Sequence, residues 1–160
     1  MPRVNRTEIC AEHESQAFHL INRCVRWAFL CGKDRRSKQD YSHRKEWIRA
    51  RLEELAGIFG IDVLDFAVLS NHLHMVVRTW PDLVTTWSDD EIAMQWWRLY
   101  PQRRNADGSP AEPTECELNA IRSDTSGLNE QRRRLKDISW FTRCLAEPIA
   151  RRGNIKDKVT

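Results

Sequence analysis

The chain has 160 residues, 41% of them hydrophobic and 31% charged, enough to close one core and too few to argue for two, with the composition of a soluble globular protein. No apolar run reaches the roughly 18 residues that span a membrane, the N-terminal stretch lacks a signal peptide's apolar centre, and five cysteines without compact spacing argue against a secreted disulfide scaffold, so a cytoplasmic location is expected. The net charge of +3 is unevenly spread, at +3 over residues 1–80, −6 over 81–130 and +6 over 131–160.

A polar leader, residues 1–15, precedes a strand that carries Phe18, Leu20 and Ile21 and is expected to run on through Val25, Trp27 and Phe29 to Gly32. Cys10, His13, Cys24 and Cys31 match no zinc-finger spacing, and free buried thiols are the better expectation for Cys24 and Cys31, which fall in or beside this apolar strand. A basic loop with Lys33, Arg35, Arg36 and Lys38 follows. Then Trp47, Ile48, Leu52, Leu55, Ile58 and Phe59 recur at helical spacing, with Ser42 as the expected N-cap and Gly60 as the stop.

Residues 61–69, rich in Val, Ile, Leu and Phe, read as a strand, and Asn71 suits a tight turn because Asn tolerates unusual backbone angles. The next run alternates. His72, His74, Val76 and Arg78 share one face and Leu73, Met75, Val77 and Thr79 the other, so the second face can pack on a core while two imidazoles stand side by side. Such a pair can chelate a divalent cation. On spacing alone, two ordinary surface histidines on a half-exposed strand explain it equally well.

Ser88 to Glu91 is a capping-box pattern opening a helix through Ile92, Trp96 and Leu99 that Pro101 ends, and Thr114 to Glu117 is a second box opening a short helix through Leu118 and Ile121. Between them residues 101–113, with Asn105, Asp107-Gly108 and Ser109-Pro110, predict a mobile loop. Trp87, Trp96, Trp97 and Tyr100 offer aromatic faces to unpaired bases, but their acidic surroundings favour packing. In the basic C-terminal region, Arg132, Arg133, Arg134, Lys136, Arg143, Arg151 and Arg152 can meet a phosphate backbone. A solvated helix face is the commoner fate of such a charge run.

Asn71-His72-Leu73-His74, hydrophobic on both sides, resembles the His-hydrophobic-His motif of HUH endonucleases, and specifically of the single-tyrosine transposases of bacterial insertion sequences and their REP-associated relatives. Ala17-Phe18-His19-Leu20-Ile21-Asn22-Arg23-Cys24-Val25-Arg26 resembles that family's first strand. The segment from Ser139-Trp140-Phe141-Thr142-Arg143-Cys144-Leu145 to Arg151-Arg152-Gly153-Asn154 resembles its late catalytic helix. The likeness covers roughly two thirds of the chain, with the middle unmatched. It implies an α+β fold, an antiparallel sheet of about four strands with packed helices, ferredoxin-like, in a single domain 1–160 with an insertion at about 81–130.

The resemblance also implies chemistry. Two histidines and a polar residue of the late helix hold Mg2+ or Mn2+ against the scissile phosphate of single-stranded DNA, and a tyrosine on that helix attacks to give a 5′-phosphotyrosine and a free 3′-hydroxyl. Carried over, the metal ligands are His72, His74 and Asn154, and Arg151 and Arg152 lie in the basic segment between. The nucleophile position falls on Ile149, which has no oxygen to give, beside Pro148, which is expected to bend or interrupt the helix. Only Tyr41 and Tyr100 carry a phenol. Three explanations stand: a slipped alignment, Tyr100 as substitute nucleophile, or loss of the transposase chemistry. The family continues past this helix with a Gly- and Arg-rich segment where this sequence reads Lys158-Val159-Thr160, which suggests a truncated or decayed copy.

The expected function is that of a transposase-like DNA-binding protein with an HUH metal site for cleavage and strand transfer on single-stranded or hairpin DNA. Its rivals are a catalytically inactive DNA-binding or regulatory module and a metal-dependent nuclease that uses water. DNA is the expected partner and a membrane is not; monomer and homodimer both stay open.

Overall fold

The β-strands come from the segments whose side chains alternate, and the helices from those with a period near 3.6. The computed structural model describes residues 14–23, 30–34 and 38–157. Their elements are β1 (Ala17–Arg23), α1 (Arg44–Ala56), β2 (Ile61–Val68), β3 (His72–Thr79), α2 (Pro81–Thr86), α3 (Asp89–Leu99), α4 (Glu115–Ser123), α5 (Thr125–Leu135) and α6 (Ile138–Asp157). This is an α+β architecture. Among the described residues the sheet has three strands, in the order β1-β3-β2, rather than about four.

β3 is central and antiparallel to both neighbours. The strands β2 and β3 form a hairpin whose turn, Ser70-Asn71, is closed by Leu69 N–H donating to the His72 carbonyl at 2.8 Å. A bulge between Val63 and Asp65 keeps the apolar side chains of β2 facing inward: Ile61 and Val63 before it, Phe66 and Val68 after it, with Leu64 turned out. β1 is described as far as Arg23; Cys24, Val25, Trp27 and Phe29 lie outside the described residues, as do Cys10, His13, Arg35, Arg36 and residues 158–160. Cys31 is half-buried. Gly32 is in the following loop at φ 89°, not in the strand.

The inward face of the sheet meets the helices. Leu73, Met75 and Val77 join Ile48, Leu52 and Leu55 of α1 and Phe141 and Leu145 of α6 in one buried cluster. Each such side chain contributes about 1.5–3 kcal/mol when fully buried. Val84, Ile92, Leu99 and Leu128 belong to the same cluster, so the stretch 81–130 shares its core with the rest of the chain.

Both capping boxes form as expected, at Ser88 and Thr114. The boundaries of α1 differ. Its N-cap is His43, whose side chain makes no capping hydrogen bond, and it stops at Gly57, while Ser42 N–H donates to Asp40 in the turn before it. Gly60 has another role: a Cβ there would collide with Val84, in the place where Gly60 N–H donates to Leu135 and Trp80 N–H donates to Gly60. The expected mobile loop over 101–113 is tied down, with Trp97 Nε1–H donating to the Ala111 carbonyl at 2.7 Å and Arg103 forming a bidentate pair with Glu117. Trp97 is accordingly buried, and Trp87 and Trp96 pack against the central cluster.

α6 runs through Pro148 without interruption. A proline inside a helix cannot donate to the carbonyl four residues earlier, here that of Cys144. Arg51 of α1 supplies the missing donor, its Nε–H reaching that carbonyl at 3.2 Å.

Candidate functional site

β3 presents His72 and His74 on one face, half-exposed, with the buried residues Leu73 and Met75 alternating between and beyond them. Their ring centroids are 6.1 Å apart and tilted by 45°. A ring nitrogen binds a metal at about 2.0–2.1 Å, which sets each centroid about 3.2 Å from the ion, so two imidazoles sharing one cation stand at most about 6.4 Å apart. The pair fits that limit. Among the described residues no group of three or more His, Cys, Asp or Glu encloses a cation site.

Among the described residues no helix covers this face. The outward side chains of the edge strands are Ala17, His19, Ile21 and Arg23 of β1, and Asp62, Leu64, Asp65 and Ala67 of β2, all exposed, with Asp65 and His19 both paired with Val76. Asp62 accepts from Trp80 Nε1–H at 2.6 Å, and Arg78 lies over the Trp80 ring. His19 was not singled out by the sequence. Its ring stacks on that of His74 with centroids 5.2 Å apart, and His19 Nε2 lies 3.1 Å from His74 Nδ1. The signal that points to it is the alternation Phe18, Leu20 inward and His19, Ile21 outward, which becomes informative only with the register Ile21 to His74.

The late helix stands in the other layer. Asn154 is exposed on α6, one residue after Gly153, which packs beneath the Arg44 guanidinium of α1; Arg44 also pairs with Asp157 at 2.5 Å. Asn154 makes no hydrogen bond to His72 or His74. Ile149 is partly buried and packs against the hydrophobic core. Tyr100, at the end of α3, places its hydroxyl 3.3 Å from Cys144 Sγ. Burial, reinforced by that contact, pushes the phenol far above its usual range, opposite to what an attacking phenolate needs. Tyr41 contacts Gln39 and lies under the Arg44 guanidinium.

The basic C-terminal residues are mostly paired with carboxylates. Arg133 and Arg134 both bind Glu130 at 2.7 Å, and their hydrogen bonds hold its carboxyl down at about 2. Arg143 and Arg151 share Glu147. Arg132 is structural: it donates to the carbonyls of Val84 and Trp87 and pairs with Asp89, fastening α5 to the end of α2. Lys136 caps the C-terminus of α5. Arg152 has a different setting, lying 4.0 Å over Trp47, where Lys156 also approaches the ring and His43. Exposed pairs of this kind contribute at most about 1 kcal/mol and are weakened by salt, so a phosphate can exchange for the carboxylate.

No family model matches the chain, and comparison with curated proteins and with solved structures yields no match.

Proposed function

We propose that this chain is a transposase-like DNA-binding protein of the HUH type that engages single-stranded or hairpin DNA through a divalent cation on the uncovered face of β3. His72 and His74 are the ligands, and Mg2+ or Mn2+ is the ion the resemblance implies. The observation that carries the reading is the pair of imidazoles side by side on the central strand, on the one sheet face that the core does not claim. A bound cation would polarise a phosphate oxygen. Further support comes from topology. The path β1, α1, β2, β3 with β3 between β1 and β2 is the order in which a ferredoxin-like fold begins, and it supports that reading. Arg143, Arg151 and Arg152 are proposed as phosphate contacts, whereas Asn154, which stands with them in the helical layer away from the histidines, is left out of the metal site. A cytoplasmic location accompanies the reading.

Strand storage as phosphotyrosine is not part of this proposal. Ile149 packs against the core, and the Tyr100 hydroxyl faces Cys144 Sγ, away from any phosphate that His72 and His74 would hold. Those two facts favour water as the nucleophile wherever cleavage occurs. The test is a labelled DNA hairpin titrated with the protein, with and without Mn2+, for the wild type and for His72→Ala and His74→Ala. Binding that the metal strengthens and that either substitution weakens is the expected result. Binding indifferent to metal and to both histidines would reduce the chain to an inactive DNA-binding module, and no binding at all would refute the DNA reading.

A further inference from the structure

His74 has a closer neighbour than the one in its own motif. β1 and β3 are antiparallel with Ile21 opposite His74 and His19 opposite Val76, so His19 is the diagonal neighbour of His74 on the same face, at a separation long side chains bridge. Here they meet in an imidazole–imidazole hydrogen bond, His19 Nε2 and His74 Nδ1 3.1 Å apart with the donor set by the tautomer, and an ion shared by both nitrogens would take the place of that proton.

We propose that His19 Nε2 and His74 Nδ1 form a cross-strand chelate for a first-row transition cation, with Zn2+ the best chemical match, on the open face of the sheet. In a tetrahedral site two imidazole nitrogens at about 2.0–2.1 Å from the metal are about 3.3 Å from each other, and the ring centroids about 5.2 Å apart. The observed values are 3.1 Å and 5.2 Å. The pair within the motif fits less well. At a centroid distance of 6.1 Å, His72 and His74 can share an ion only with a nitrogen–metal–nitrogen angle opened to about 145°, well beyond the tetrahedral value. His74 thus has a nearly ready partner across the strands and a distant one along its own.

Two nitrogen ligands leave the remaining coordination positions facing solvent, open to water or to a phosphate oxygen. An imidazole pair suits Zn2+, Ni2+ or Cu2+ and is poorly matched to Mg2+, which demands an octahedral shell of oxygens. Arg23, the register partner of His72, and Arg78 flank the pair at the two ends of the face, both exposed, where an anionic ligand of the metal would find them. The inference rests on the proposed function only in that His74 is a ligand in both. The two arrangements share His74 and exclude each other, so this one, where it holds, puts His19 and a transition cation in place of His72 and Mg2+ or Mn2+ in the proposed function.

The experiment is a titration of the full, untagged chain with Co2+, read by its visible absorption, and with Zn2+ and Mg2+ by calorimetry, for wild type, His19→Ala, His19→Gln, His72→Ala and His74→Ala. Circular dichroism confirms that each variant folds; His19 is exposed on an edge strand, so its replacement leaves the core intact. The expected result is one Co2+ or Zn2+ bound per chain in a tetrahedral spectrum and no measurable Mg2+. Both His19 variants and His74→Ala should lose at least roughly tenfold in affinity, and each should lose more than His72→Ala. Loss in His72→Ala and His74→Ala with His19→Ala unaffected would overturn the inference and leave the motif pair, and the proposed function, standing. Thiolate charge-transfer bands on cobalt loading, or no uptake of either ion, would also overturn it, while the hairpin titration separately decides the DNA reading.

Discussion

Replacing Arg51 with Met should destabilise the protein through a carbonyl in another helix. Pro148 deprives the Cys144 carbonyl of its helical donor, and Arg51 Nε–H fills the gap at 3.2 Å. Methionine keeps most of the apolar stem but donates nothing, and a buried carbonyl left unsatisfied costs about 1–3 kcal/mol. The substitution also removes the exposed Arg51–Glu54 pair, spaced i, i+3 and worth only a few tenths of a kcal/mol. With a urea slope of about 2 kcal/mol/M for a domain of this size, the unfolding midpoint should fall by about 0.5–1.5 M. The decisive arm is Pro148→Ala, which restores a helical N–H to the same carbonyl. In that background Arg51→Met should cost only the few tenths that belong to Glu54, so a double-mutant cycle should show a coupling of about 1 kcal/mol or more. An equal cost in both backgrounds would refute the assignment of Arg51 as the carbonyl's donor.

Three further outcomes follow from individual groups. Glu117 closes a capping box with Thr114 and binds Arg103, whose hydrogen bond leads the causes holding its carboxyl down at about 2. A folded pKa below the unfolded one stabilises the protein above the usual glutamate range and loses that contribution as pH falls toward 2, so the Tm gap between wild type and Glu117→Gln should be widest near neutrality and close on acidification. Replacing Arg151 and Arg152 with Ala should weaken hairpin binding for all sequences alike and flatten its salt dependence, which parallel titrations at two salt concentrations would measure; an unchanged slope returns both arginines to the solvated face. Incubation with a hairpin and Mn2+ should leave no covalent DNA adduct by denaturing mass spectrometry, and an adduct on Tyr100 would show that the Cys144 contact does not keep its phenol from reacting.

The parts of the molecule legible from the sequence are those written in short-range pattern. The hairpin, the face of β3 and both capped helices follow from alternation, a turn residue and a box of four residues. Long-range matters were not legible. His19 becomes part of the histidine face only through the β1–β3 register, and Arg51 meets the Cys144 carbonyl across 93 positions of chain. Gly60 has the look of a helix stop, yet the close approach of Val84 and Trp80 is what requires a glycine there. The basic C-terminal region could have been read more closely, since Glu130–Arg134, Arg143–Glu147 and Glu147–Arg151 are all spaced i, i+4, the spacing at which helix charges pair. Counting net charge hid that arrangement.

On the proposed transposase-like reading, position 149 separates a lost side chain from a lost site. If the only defect were a missing phenol, Ile149→Tyr would restore strand attack. The surroundings argue otherwise, because Ile149 is partly buried against the core in the helical layer, whereas His72 and His74 stand on the sheet face that the helices leave open. A tyrosine there must either force its ring into packed side chains, at about 1–3 kcal/mol for overpacking, or swing out from α6 with no metal-bound phosphate before it. A nucleophile displaced by even about 1 Å loses on the order of a hundredfold in rate, and here it belongs to a different layer. The Ile149→Tyr chain, incubated with a hairpin and Mn2+ and read by denaturing mass spectrometry, should therefore form no adduct and should unfold at a lower temperature than wild type. A covalent adduct at position 149 would show that α6 and the histidine face meet in the reacting complex, and the loss of chemistry would then reduce to one side chain.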